Sequence, residues 1–274
     1  MFKAWRRRRT LARHRIPDDL WQQTLARLPF LAYLDDGEHA RLRDLTVLFL
    51  AEKEMHGAGG LELRDDIRLS IAVQACVPIL NLGLDYYEGW VGVVVYPGEF
   101  EVRREEMDEA GVVHQWTDAL SGEAWPGGPV VLSWQDVRMT ERPDGNHTYN
   151  VVIHEFAHKL DMLHKGDADG YPAPHRDMHP LRWYETLQQS YEHFCDAVER
   201  GEARQPHAIA PPPVDEWGRV LPFDAYAAEH PAEFFAVMSE VFFTDPATLK
   251  LCYPELYGEF ARFYRQDPAA RSGH

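Results

Sequence analysis

The stretch Asn150-Val151-Val152-Ile153-His154-Glu155-Phe156-Ala157-His158-Lys159-Leu160-Asp161-Met162-Leu163 decides the fold. Val151, Val152, Ile153, Phe156, Ala157, Leu160 and Leu163 give a helix with a broad apolar surface. Residues four apart on a helix stand one above the other, so His154 and His158 can share one metal ion. Neutral imidazole is a strong zinc ligand. Glu155 points about 100° away from His154, which suits a base that takes a proton from a metal-activated water. The pattern is the His-Glu-x-x-His signature of zinc metallopeptidases. A chain with 14 His and 44 acidic residues produces about 0.1 such matches by chance, so the helical, apolar setting carries the reading. A structural helix with two exposed histidines is the weaker alternative.

Working outward, Pro17 to Pro29 reads as a short helix, with Leu20, Trp21, Thr24, Leu25 and Leu28 at helical spacing. A longer helix runs from about Gly37 to His56 and stops at Gly57-Ala58-Gly59-Gly60. A third begins at Asp65 or Asp66 and ends at Pro78. From Trp90 the period changes to that of strands. Trp90–Tyr96, Phe100–Arg103, Val112–Trp116 and Val130–Trp134 predict a small sheet of about four strands just before the metal helix. Downstream, helices are expected over Leu181–Glu199, Ala232–Thr244 and Ala247–Tyr264, with a Pro-rich loop around Pro206 and Pro211-Pro212-Pro213. The class is α+β, mostly helical, with a small mixed sheet beside the metal helix.

The 274 residues are 45% hydrophobic, enough for a large core. Their net charge of −16 is uneven: residues 1–16 carry seven basic side chains and no acid, leaving −23 on the rest. An acidic body argues against direct nucleic-acid binding. The arm Phe2-Lys3-Ala4-Trp5-Arg6-Arg7-Arg8-Arg9 either touches a membrane surface, a nucleic acid or an acidic partner, or frays as a solvated tail that folds back on the acidic body. No apolar run reaches the roughly 18 residues of a membrane span, and no apolar stretch of a secretory signal follows the arginines. Cys76, Cys195 and Cys252 are odd in number and far apart, the pattern of reduced thiols, so a cytoplasmic location is expected.

A catalytic zinc usually takes a third protein ligand. No His follows His158 at metzincin spacing, so a glutamate from a downstream helix is expected. Glu229, Glu233 and Glu240 fall on one side of the segment 224–240, and Glu233 ranks first because core residues flank it. Tyr226, seven residues earlier, either packs or presents a hydroxyl to the oxyanion formed during amide hydrolysis. Asp161 is placed to accept the second N–H of His158, with Asn150 a weaker candidate for such support. His164, Asp167 and Asp169 do not match an EF-hand and read as a turn. Strand Val130–Trp134 is expected to pair with an extended peptide substrate.

His154-Glu155-Phe156-Ala157-His158-Lys159-Leu160-Asp161, Pro231-Ala232-Glu233-Phe234-Phe235-Ala236-Val237 and the outlying Tyr226 together resemble the MtfA (Mlc titration factor A) family of glucose-regulated zinc metallopeptidases. The same spacing is similar to the catalytic core of lethal-factor-type gluzincins. The resemblance implies a zincin-like fold and zinc on His154, His158 and Glu233, one ion per chain. It also implies Glu155 as general base, Tyr226 as oxyanion donor, and aminopeptidase-like activity on peptides. A Mlc-like transcriptional repressor is the implied partner; the alternative is a protein that sequesters the repressor, with hydrolysis secondary. The expected organisation is a basic arm at 1–16, one metallopeptidase domain at 17–266, and a tail at 267–274. Within that domain, N-terminal helices occupy 17–80, the sheet and metal helix 90–164, and the helices with the third ligand 180–265.

Overall fold

The computed structural model describes residues 2–107, 113–141, 149–163, 165–201, 203–204 and 221–271. Ten α-helices among them are α1 (Phe2–Arg13), α2 (Asp18–Ala26), α3 (Asp36–Glu52), α4 (Asp65–Cys76), α5 (Trp134–Thr140), α6 (Val151–Asp161), α7 (Pro180–Glu199), α8 (Pro231–Thr244), α9 (Pro246–Cys252) and α10 (Pro254–Tyr264). The strands are β1 (Glu54–Gly57), β2 (Gly92–Tyr96), β3 (Phe100–Met107), β4 (Val113–Leu120), β5 (Gly122–Ala124), β6 (Val130–Ser133), β7 (Ala203–Arg204) and β8 (Leu221–Asp224). The α+β, mostly helical class is borne out. No helix among the described residues is long and apolar enough to cross a membrane.

The sheet is built differently from its expected form. Its order is β1-β2-β6-β5, with β1–β2 and β2–β6 parallel and β6–β5 antiparallel. β3 and β4 instead form a separate antiparallel hairpin, from Phe100↔Leu120 to Met107↔Val113. β1 takes residues whose spacing suggested the end of a long helix. Asp35 and Glu38 close a reciprocal capping box at the start of α3, but the helix stops at Glu52. Lys53 then turns extended and sends its ammonium to the carbonyls of Tyr87 and Trp90, 3.7 Å above the Trp90 ring. Pairing with β2 buries Met55, so the tertiary contact outweighs helical propensity here.

Two further boundaries shift for local reasons. The strand expected through Trp134 ends at Ser133, whose hydroxyl accepts the Asp136 N–H at 3.4 Å and caps α5. The helix expected over Ala247–Tyr264 breaks at Tyr253, because Pro254 has no N–H to continue it and instead begins α10. The basic arm forms α1, which lies against α3.

The core gathers on α6. All eleven of its residues are buried, its charged and polar side chains included. Asn150 caps it, accepting the Ile153 N–H at 3.0 Å. Phe156, wholly buried, meets the rings of Phe49, Tyr87 and Trp90 at centroid distances of 5.7, 5.1 and 5.6 Å. On another side α6 packs against α8, which is itself buried from Phe234 to Phe243. Replacing Phe156→Ala is expected to cost about 3–5 kcal/mol, read as a lower urea midpoint with an unchanged denaturant slope.

Candidate metal centre

The i, i+4 spacing on α6 brings His154 Nε2 and His158 Nε2 to 3.2 Å, with ring planes at 78°. Glu233 reaches them from the first turn of α8, where Pro231 opens the helix and His230 Nδ1 accepts the Ala232 N–H at 3.2 Å. Its Oε2 lies 3.0 Å from His154 Nε2 and 3.4 Å from His158 Nε2. Donors about 2.1 Å from a shared ion, spread at the tetrahedral angle, lie roughly 3.4 Å apart. The three atoms therefore fit one small cation, and the nitrogen–oxygen donor set suits a transition metal. Among the described residues, this is the cluster able to hold a metal ion.

The surrounding charges favour a cation as well. Glu240, two turns beyond Glu233, places Oε1 2.7 Å from His154 Nδ1, while its Oε2 accepts the Asn150 N–H. Glu240 thus grips the far side of His154 and leaves Nε2 facing Glu233, the arrangement that fixes a ligand's tautomer. Burial opposes the charge on His154, yet hydrogen bonds with Glu233 and Glu240 hold its imidazolium well above the usual histidine range. Burial also opposes the Glu233 carboxylate, but His154 and His158 hold it well below its ordinary value. Glu229 is exposed and takes no part in the cluster.

Asp161 does not support His158 as expected. Its Oδ2 accepts the Gly170 N–H at 2.6 Å, and neither its Oδ1 nor His158 Nδ1 has a hydrogen-bond partner among the described residues. Burial pushes the Asp161 carboxyl up to about 7. The bond acts one step away, because Gly170 (φ 83°) abuts α8: a Cβ there would lie 2.3 Å from the Pro231 carbonyl carbon. Asp161 therefore holds the turn against which the Glu233 end of α8 rests. Within that turn Lys165 pairs with Asp169 at 2.8 Å, as a simple turn predicts; His164 lies outside the described residues.

Glu155 occupies the adjoining face of α6, 5% exposed, and burial foremost raises its carboxyl to about 8. Its side chain lies flat on β5: a Cβ added at Gly122 would come 2.4 Å from Glu155 Oε1 and 2.7 Å from its Cγ. The sequence reading passed over Gly122, although a glycine inside a strand is a sign of close approach. Among the described residues β5 is one of the two edge strands of the sheet, whereas β6 is paired on both sides. Val130–Trp134 therefore cannot receive an extended peptide, because β2 and β5 already flank Val130–Ser133 and Trp134 begins α5. Tyr226 sits in a 3-10 turn, Ala225–Ala228, capped by Asp224, which accepts its N–H at 3.0 Å. Its ring centroid is 6.2 Å from that of His154, and burial together with Glu233 raises its phenol far above ordinary, so it remains a donor. Tyr149 is a second phenol near Glu155, also raised by burial, which the sequence reading missed.

The sequence model for glucose-regulated metallo-peptidase M90 matches residues 2–265. Mlc titration factor A of Pectobacterium atrosepticum is 38% identical over 252 residues, covering 92% of this chain and 87% of that protein. Its counterpart in Serratia proteamaculans is 38% identical over 253 residues, covering 92% and 88%. That of Salmonella arizonae is 37% identical over 256 residues, covering 93% of both chains.

Two substitutions separate holding the ion from using it. Glu240→Gln is expected to weaken metal affinity about 10- to 100-fold, measured by competition with a chromogenic chelator. Gly122→Ala forces the Glu155 side chain aside; metal content should stay at parental level while kcat falls about 100-fold.

Proposed function

Because the chain belongs to the glucose-regulated metallo-peptidase family, we propose that it is a zinc-dependent peptidase of gluzincin type, aminopeptidase-like in its action. His154, His158 and Glu233 hold the ion, Glu155 is the general base, and Tyr226 steadies the oxyanion. One observation carries this reading: three donor atoms converge within 3.0 to 3.4 Å, beside a buried carboxylate that is not one of them.

Zinc, when bound, polarises the scissile carbonyl and acidifies a water. Glu155, pushed to about 8 by burial, is matched to proton exchange near neutral pH. It removes a proton from the attacking water and passes it to the departing amine, while the Tyr226 hydroxyl donates to the oxygen that gains charge. The substrate extends along the β5 edge of the sheet, so its backbone supplies the pairing and its side chains alternate toward and away from Glu155. The protein works in the cytoplasm, in keeping with its three free cysteines, Cys76, Cys195 and Cys252.

The name shared by the relatives, Mlc titration factor A, supports a second element: a Mlc-like transcriptional repressor as partner, whether cleaved or merely sequestered. The variant Glu155→Gln tests both parts. It should retain one zinc per chain by metal analysis and lose peptide hydrolysis at least 100-fold, with Tyr226→Phe lowering kcat about 100- to 1000-fold. Parental turnover in Glu155→Gln would remove the mechanism. Undiminished capture of a Mlc-like repressor by that inactive variant would assign the partnership to binding alone.

A further inference from the structure

Helix α1 has two faces with separate tasks. The inner face is fastened to the acidic body: Arg7 Nε meets Glu52 at 3.0 Å, Arg7 Nη1 meets Asp85 at 2.6 Å, and Lys3 pairs with Asp85 and Glu88. Leu11 packs on the core beside them. At 100° per residue the outer face then carries Phe2, Trp5, Arg9 and Arg13, bordered by Arg6 and Arg8. Phe2 is 75% and Trp5 54% exposed, their rings stack at 6.0 Å, and the Arg9 guanidinium lies 5.4 Å over Trp5. Arg8, Arg9 and Arg13 have no acidic partner among the described residues.

Protruding aromatic rings beside guanidiniums that have no acidic partner among the described residues are the combination that settles into a bilayer interface.

We propose that α1 is a peripheral anchor for anionic phospholipid membranes, lying in the plane of the surface. Phe2 and Trp5 enter the headgroup layer while Arg8, Arg9 and Arg13 meet the phosphates. Charge complementarity selects this face: residues beyond 16 carry −23 and are repelled by such a surface, which leaves α1 as the side that can approach. Duplex nucleic acid would engage the guanidiniums equally, but its bases are already stacked on one another and leave the paired rings without a partner.

Sedimentation of the full chain with vesicles tests this. Binding is expected to mixed phosphatidylcholine–phosphatidylglycerol vesicles, not to phosphatidylcholine alone, and to be lost at high ionic strength. At about fivefold per guanidinium, the combined Arg8→Gln, Arg9→Gln and Arg13→Gln variant should bind roughly 100-fold more weakly. Phe2→Ser with Trp5→Ser should also lose at least about tenfold. All five side chains are exposed, so unfolding midpoints should match the parent. No sedimentation with the anionic vesicles, or equal sedimentation with neutral ones, overturns the proposal. So does a Phe2→Ser, Trp5→Ser variant that binds vesicles at parental strength while duplex DNA retains both proteins, since that describes a polyanion site.

Discussion

A helix buried on every side, yet carrying two imidazoles, two carboxylates and an ammonium, sets the terms for the rest of this structure. Burying such groups costs several kcal/mol each unless partners replace the lost water. The partners come from separate elements. Glu233 and Glu240 on α8 meet His154 on its two sides, Gly170 meets Asp161, and the carbonyls of Trp125 and Gly128 receive Lys159 at 2.6 and 2.9 Å. Each bond fixes where a neighbouring segment must lie relative to α6. The candidate site is therefore a consequence of satisfying one helix, rather than a cluster added to a finished core.

The same burial divides the site electrostatically. Around His154 the carboxylates favour a positive charge, which suits a cation shared with His158 and Glu233. On the adjacent face of α6, Glu155 lies against β5 at Gly122, and burial foremost raises it to about 8. Two glutamates of one region thus hold opposite tendencies, Glu233 toward the anion and Glu155 toward the acid. Such a separation is what a site needs if one carboxylate is to hold a metal and another is to carry protons.

Charge is also divided over the whole molecule. The basic helix α1 is tied to Glu52, Asp85 and Glu88 by its inner side only. Those pairs are largely surface-exposed and individually weak. Their joint effect is orientation: they decide which arginines are neutralised and which face outward with Phe2 and Trp5.

What the sequence determined by itself is what short-range geometry governs. His154 and His158 must stack once α6 is helical, because the period of the helix leaves them no other relation. The helix-rich class and the ranking of Glu233 rest on the same kind of local pattern. Short strands escaped it: β1 and β5 have only four and three residues, and their conformation comes from pairing with β2 and β6. Tertiary structure alone decided that β5 rather than β6 lies at an edge of the sheet, that Gly122 faces Glu155, and that Asp161 serves Gly170 instead of His158. It also gave Glu240 to His154 across 86 residues. These are contacts between segments distant in the chain, and the chain's periodicity holds no information about which distant groups will be brought within hydrogen-bond reach.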